Sequence, residues 1–440
     1  MSFHTPRAQT ITRLLTSWVA IAILTPFLSP PGILTAEEIS SRYQAPYPVA
    51  ASKKGLQVEI IDDALALGVK HATFNVNLSQ LILPTPSADA PRWESEGRTY
   101  HFRQGYLARL DDQIRSLSSQ NVLVNLIILV YASGNAKVDE IMLHPQYDPQ
   151  APNRLSAFNI KTDEGRRWLT AIMEFLAERY SRPDEGFGRV VGYIIGNEVN
   201  SHWWWSNMGP QTMEGFADEY VDVMRLSHDA VRRQSSWARV YLSLDHHWNI
   251  RYAAGTANQA FPSKAFIDYF AKAARERGDF AWHVAFHPYP ENLFEPRFWN
   301  DRTATDDAET DRITFKNLEV LTNYMRRPEL QYRESPRRII LSEQGFHTPD
   351  GPEGEAIQAA AYCLAYRNVD QLDGIDAFIL HRHVDHPHEG GLRLGLRRFQ
   401  PGSDDPRPKK MIYRCFQAAD TADWQEAFEF ALPIVGRSDW

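Results

Sequence analysis

Two glutamates in this chain each stand at the end of an apolar run. One lies in Gly192-Tyr-Ile-Ile-Gly-Asn-Glu-Val-Asn-Ser-His-Trp-Trp-Trp205, where a hydrophobic segment runs straight into Asn197-Glu198 and then into three tryptophans. The other lies in Arg338-Ile-Ile-Leu-Ser-Glu-Gln-Gly345. Ile339, Leu341 and Glu343 share one strand face by the period of two, so Glu343 is expected to point inward with the two aliphatic side chains. Two carboxyl groups meeting in one pocket suit the retaining hydrolysis of a glycosidic bond. One acid protonates the leaving oxygen, one carboxylate attacks the anomeric carbon, and the groups lie about 5–5.5 Å apart. Their environments must hold one protonated and the other ionised. Trp203, Trp204 and Trp205 offer Glu198 an apolar wall that raises its pKa. Tyr289, in His287-Pro-Tyr289, offers Glu343 a hydrogen bond that favours its charged form.

The histidines suggest a rival chemistry. His381, His383, His386 and His388 crowd with Asp385 into Leu380-His-Arg-His-Val-Asp-His-Pro-His-Glu389, while His246 and His247 follow one apolar run and His287 another. Gathered at one rim they would hold a divalent metal, making the chain a metal-dependent hydrolase of an ester, amide or phosphate. Against that, the first apolar run carries no His-x-His, only His71, Asn75 and Asn77. The simpler expectation is that the histidines line a cleft as hydrogen-bonding groups, with no metal and no cofactor. His247, His287, His381 and His383 then join Asn197, Tyr289, Trp203 and Trp204 as substrate-binding candidates. A third reading is a sugar-binding barrel without turnover, in which Trp203–Trp205, Trp248, Trp299 and Tyr289 stack on sugar rings. Trp282, inside an apolar run, belongs rather to the core. Arg382, Arg393 and Arg397 near the same rim suit an acidic or sulfated sugar, or a solvated loop.

A repeating scaffold must position these residues. Apolar runs recur at 69–76, 121–131, 189–195, 239–244, 282–286, 338–341 and 375–380. They do not alternate with polar residues, as expected of strands covered on both faces. Amphipathic helices lie between them: Leu107, Leu110, Ile114 and Leu117 mark one face, and Trp168, Ile172, Phe175 and Leu176 another, capped at Thr162 or Asp163. An eighth strand is expected at 155–160. Strand and helix alternating in this way predict a (β/α)₈ TIM barrel with long βα loops at the C-terminal face. The open doubly wound competitor lacks its Gly-x-Gly-x-x-Gly fingerprint. Segments entering strands are short, while those leaving them (79–104, 132–154, 199–212, 245–262, 287–311, 381–411) are long and aromatic. Insertions at that face predict a walled cleft.

Composition narrows the function. The 440 residues are 43% apolar and 12% aromatic, too rich in aromatics for disorder. Acids outnumber bases 55 to 47, which argues against a nucleic-acid partner. Cys363 and Cys415 are the only two cysteines, too few for a disulfide framework or a multi-cysteine zinc site, although export would permit a bond between them. Arg7 and Arg13, a short apolar stretch and Ala36 read as a secretory signal over residues 1–36, with export to the periplasm or medium and no stable membrane insertion after cleavage. An N-terminal extension over 37–54, the barrel over 55–420 and a tail over 421–440 complete the division.

Taken together, the Asn197-Glu198 pair after the fourth strand, Tyr289 after the sixth and Glu343 on the seventh resemble the clan A retaining glycoside hydrolases. The resemblance implies Glu198 as acid/base, Glu343 as nucleophile, Asn197 as a donor to the sugar 2-hydroxyl, and a carbohydrate substrate. The chain departs from that pattern in three places. Val199 stands where a proline usually follows the Asn-Glu pair, and His381-Arg-His383 stands where a tryptophan follows the eighth strand. No arginine ends the second strand, as read from sequence, and Asn125 is the nearest polar residue there.

Overall fold

The computed structural model describes residues 46–402 and 407–440. Eight parallel strands form a closed sheet: β1 Lys54–Gln57, β2 His71–Asn77, β3 Leu123–Tyr131, β4 Val190–Ile195, β5 Arg239–Asp245, β6 Trp282–His287, β7 Ile339–Gln344 and β8 Ile375–Leu380. β1 pairs with β8 and β2, and β2 also pairs with β3, which closes the ring. A helix follows each strand: α1 Ile61–Ala66, α2 Gln104–Ser118, α3 Asp163–Arg179, α4 Met213–Gln234, α5 Ser263–Glu276, α6 Leu318–Met325, α7 Gly354–Asp370 and α8 Met411–Ala418. The protein is a (β/α)₈ barrel.

The unbroken apolarity of the strands has two causes here. Ile127, Leu129, Ile194, Tyr241, Ala285, Ile340, Ala377 and Ile379 fill the barrel interior. Their neighbours in sequence, such as Val124, Leu126, Ile128 and Val130 on β3, pack outward against the helices. The helices present the faces their spacing predicts: Leu107, Leu110, Ile114 and Leu117 are buried on α2, and Thr162 caps α3 by accepting from the Gly165 N–H. Gly192 on β4 allows close packing inside the ring, because a Cβ there would lie 2.3 Å from Asn125 Oδ1.

Two expectations are corrected. The segment 155–160 supplies only Leu155–Ser156, which pairs antiparallel with the end of β3 and lies outside the parallel ring. The missing strand is β1, whose sequence Lys-Gly-Leu-Gln is too short and too polar to show a period. The runs at 69–76 and 121–131 are therefore β2 and β3, while those from 189 onward keep their ranks.

The second correction concerns β7. Ile339 and Leu341 face the helices, and it is Ile340 that enters the barrel interior. Simple alternation would turn Glu343 outward. Pairing with β8 instead runs Leu341 to Phe378 and then Gln344 to Leu380, three steps against two, so β7 carries a bulge. A bulge re-aims side chains at a strand end, and here Ser342 and Glu343 both reach the same cleft.

Residues 1–36 and 37–45, on which the signal and most of the extension were placed, lie outside the described residues. Among the described residues no helix is long and apolar enough to cross a membrane. Cys363 and Cys415, on α7 and α8, are buried free thiols. Past α8, Trp424–Glu429 and Leu432–Val435 form short helices that bury Ala427, Phe428 and Val435.

Candidate functional site

All eight strands run the same way, so everything that leaves them emerges at one end of the ring. At the end of β4, Gly196 and Glu198 both adopt left-handed backbone, with φ of 87° and 39°. For a glutamate that conformation is uncommon and costs about 1 kcal/mol or more, and such outliers cluster at functional sites. The Glu198 N–H donates to Ser243 Oγ of β5 at 2.9 Å. Its carboxyl shares a 2.9 Å hydrogen bond with His287 Nδ1 at the end of β6, and His287 Nε2 meets Ser342 Oγ of β7 at 3.0 Å. Tyr289, two residues past β6, donates its hydroxyl to Glu343 Oε1 at 3.3 Å. Glu198, His287 and Glu343 bring one donor atom each within 4.8 Å of one another. Two carboxylates from β4 and β7, more than a hundred residues apart in sequence, thus meet at the cleft mouth.

Burial pushes the Glu198 pKa up, partly offset by the His287 hydrogen bond and reinforced by the charges of Asp245 and Glu343. Burial alone would lower His287, but its bond to Glu198 and the charges of Glu343, Glu198 and Asp245 raise it. Imidazole and carboxyl therefore share a proton that is held more tightly than by an ordinary carboxyl group, a property of the pair. Burial, followed by the charge of Glu343, raises Tyr289 well above a free phenol, so it stays a hydrogen-bond donor.

Behind Glu198 lies a polar cluster of which the sequence suggested only His246 and His247. Asp245 Oδ1 accepts from Asn200 Nδ2 at 2.8 Å and from the His247 N–H at 2.9 Å, and Oδ2 accepts from Ser201 Oγ at 2.5 Å. Although burial opposes ionisation, His247 and Ser201 keep Asp245 below the usual carboxylate range. His247 therefore sits against Asp245, stacked on His246 with ring centroids 4.3 Å apart.

The opposite wall comes from β1 and the loop after β8. His381 bonds to Gln57 through Nδ1 and to Glu389 Oε1 through Nε2, the latter at 2.5 Å. Glu389 also faces Arg382 at 3.5 Å, lies close enough to Tyr289 to act on its charge, and keeps its second oxygen buried without a partner. Gln57 escaped sequence reading because its strand did, and Glu389 because it closes a run dominated by histidines. Ser342 and Ser243 carried no signal beyond their positions.

The other candidates are placed as follows. Asn197 is 8% exposed and immediately precedes Glu198. Trp203 and Trp204 are half-buried, with Trp204 set edge-on to Tyr252 at 4.7 Å. It is Trp205 that packs on the barrel's inner cluster. Trp248 is fully buried, edge-on to Tyr324, with neither face open to the cleft. His383 does not reach the cleft: its ring is fully buried, Nδ1 accepts from the Glu59 and Ile60 N–H groups, and Nε2 bonds to Asp63 at 2.8 Å. The loop histidines also fail to converge as a metal site. His386 and His388 pack on each other, and Asp385 pairs with Lys410. Among the described residues the three groups able to share an ion are Glu198, His287 and Glu343, and His287 already engages both ring nitrogens. The rim arginines are likewise paired: Arg382 with Glu59, Arg393 with Asp350 and Arg397 with Asp63.

Solved structures share the barrel. A family 39 glycoside hydrolase from the gut symbiont Bacteroides cellulosilyticus superposes with a TM-score of 0.55 at 13% identity, over 84% of this chain and 63% of that one. This chain thus spans less than two thirds of that protein. A hyperthermophilic β-glucosidase from Pyrococcus furiosus gives a TM-score of 0.52 at 13% identity, over 85% and 86% of the two chains. No curated protein matches the sequence. The family model that does match covers residues 46–440, which takes in the whole barrel and both sides of its cleft. The chain therefore belongs to DUF5722, a family of unknown function.

Proposed function

We propose that this protein is an exported retaining glycoside hydrolase that cleaves O-glycosidic bonds of an oligo- or polysaccharide. The observation that carries the reading is the pair itself. Carboxylate oxygens of Glu198 and Glu343 stand within 4.8 Å at the cleft end of a barrel, and burial raises the pKa of Glu198. That approach of the two oxygens suits double displacement, whose carboxyl groups lie about 5–5.5 Å apart, better than an inverting pair, which stands about 6.5–9.5 Å apart to admit a water. The same fold in a family 39 glycoside hydrolase and a β-glucosidase supports a carbohydrate substrate.

In this reading Glu343 attacks the anomeric carbon as the Glu198 carboxyl protonates the leaving oxygen. Glu198, now ionised, then takes a proton from water as it attacks the glycosyl ester and releases the sugar. His287 holds the Glu198 carboxyl in position and shares its proton, with Ser342 fixing the far side of the ring. Tyr289 orients Glu343. Gln57, His381 and Glu389 form the polar wall that meets sugar hydroxyls, and Asn197 adjoins the 2-hydroxyl. The secretory signal at 1–36 would carry the enzyme to the periplasm or medium. No metal or cofactor enters these steps.

The test is turnover of aryl glycosides and polysaccharides by the purified chain, set beside Glu343→Gln. Hydrolysis abolished in the variant, with the fold intact, is the expected result. Activity equal to wild type in Glu343→Gln would remove the nucleophile, and binding without turnover in both would leave only a sugar-binding barrel.

A further inference from the structure

Exposed large apolar side chains are few among the described residues, and two of them are consecutive. Leu293 and Phe294, 38% and 50% exposed, lie in the loop leaving β6, beyond Tyr289. Phe294 is held there. Its ring meets His347 edge-on at 5.2 Å, and it packs over Gly391, where a Cβ would lie 3.8 Å from its edge. Three loops that bring Tyr289, Glu343 and Glu389 to the cleft therefore converge a second time around one aromatic ring. His347 follows Glu343 by four residues, so the two backbones are no more than about 14 Å apart. The platform is a few sugar rings from the carboxylate pair.

Next to Phe294, on the far side of Gly391, the loops after β7 and β8 line an open cavity of about 670 Å³, within the usual size of a small-molecule site. Gly391 lines it, and Phe399, 42% exposed, stands in its wall. Its charges cancel in pairs: Lys410 with Asp385 at 2.7 Å, Arg393 with Asp350 at 2.7 Å, and Arg398 Nε with Glu355 at 2.7 Å. An anionic ligand would find each of these cations already engaged. A neutral polyhydroxylated ring can instead stack its apolar face on Phe294 or Phe399 and bond to the outer lone pairs and N–H groups of the ion pairs.

We propose that this cavity, with the Phe294 platform at its entrance, is a distal subsite for a neutral glycan chain. It rests on the glycosidase reading in taking that chain as substrate, and makes the substrate a polymer or long oligomer held well past the cleavage point. The test is affinity electrophoresis of the full chain in gels containing soluble neutral glucan, xylan or mannan, or anionic polygalacturonate. Variants are Phe294→Ala and Phe399→Ala, with Val49→Ala, 93% exposed at the opposite end of the barrel, as control. At least one neutral polysaccharide should retard the wild type and Val49→Ala equally, and each phenylalanine variant should bind it about fivefold more weakly. Circular dichroism confirms that each variant folds. No retardation by any neutral polymer, preference for the anionic one, or unchanged retardation in both phenylalanine variants overturns the subsite. Phenylalanine-dependent retardation without hydrolysis would remove the glycosidase reading and keep the subsite; hydrolysis with phenylalanine-independent retardation would do the reverse.

Discussion

Glu198→Ala separates the two halves of the proposed reaction. The carboxyl it removes is 13% exposed and is held by His287, with Glu343 close beside it. Positioned general acid–base catalysis is worth about 10²–10⁴-fold, or about 2.7–5.5 kcal/mol of barrier. A sugar leaving group needs the proton, so kcat/KM on an oligosaccharide should fall by that whole factor. A dinitrophenolate leaves without one. Its departure should be nearly unaffected, while release of the glycosyl enzyme, which has lost its base, becomes rate-limiting. Stopped-flow absorbance should then show a burst followed by slow turnover, with a lowered KM. Truncation leaves a carboxylate-sized gap beside His287, open at the cleft, and azide entering it needs no base to attack. Azide should therefore restore turnover and yield a glycosyl azide of the substrate's own anomeric configuration, read by proton NMR. Glu343→Ala should lose both substrates, and any azide product should be inverted. Equal losses on the two leaving groups in Glu198→Ala, or an inverted azide from it, would refute the assignment of roles.

Tyr289→Phe removes the donor to Glu343 at 3.3 Å; a hydrogen bond to a charged group is worth about 1.5 kcal/mol, so kcat/KM should fall about tenfold with the pH optimum read alongside. Glu198→Gln should melt about 2 °C above wild type at pH 7 by calorimetry. The sign follows from linkage: burial raises Glu198, so the native state binds more protons than the unfolded chain and loses stability as pH rises from the ordinary carboxylate range through the native value, and glutamine carries no such loss. The two curves should converge below about pH 4, and a gap that widens toward acid contradicts the buried-acid assignment. Dialysis against a chelator should leave hydrolysis unchanged. Loss of activity restored by one divalent cation would instead make Glu198, His287 and Glu343 ligands.

The barrel was legible because its longer strands are apolar on both faces and its helices keep their period, from Leu107 to Leu117 on α2 and from Trp168 to Leu176 on α3. β1 was not, since four residues containing a lysine, a glycine and a glutamine present no pattern. Glu198 and Glu343 could be singled out because each ends a hydrophobic segment, but the reason offered for Glu343 failed. Alternation from Ile339 predicts the wrong face, and the bulge that corrects it exists only in the pairing of β7 with β8. His383 misled because its partner Asp63 lies 320 positions away. Glu389 was hidden among histidines that outnumber it. Contacts made across the ring leave no local trace in the chain.

The extra residue in β7 has a consequence for how such proteins diverge. Removing the Ser342 codon would restore regular pleating and drop the glutamate into the serine's place on the inner face, deeper in the barrel, while His287 would lose the hydroxyl at its Nε2. Loss of turnover in a relative need not appear as a substituted glutamate. It can be written as a one-residue gap, with both glutamates still spelled out in the gene.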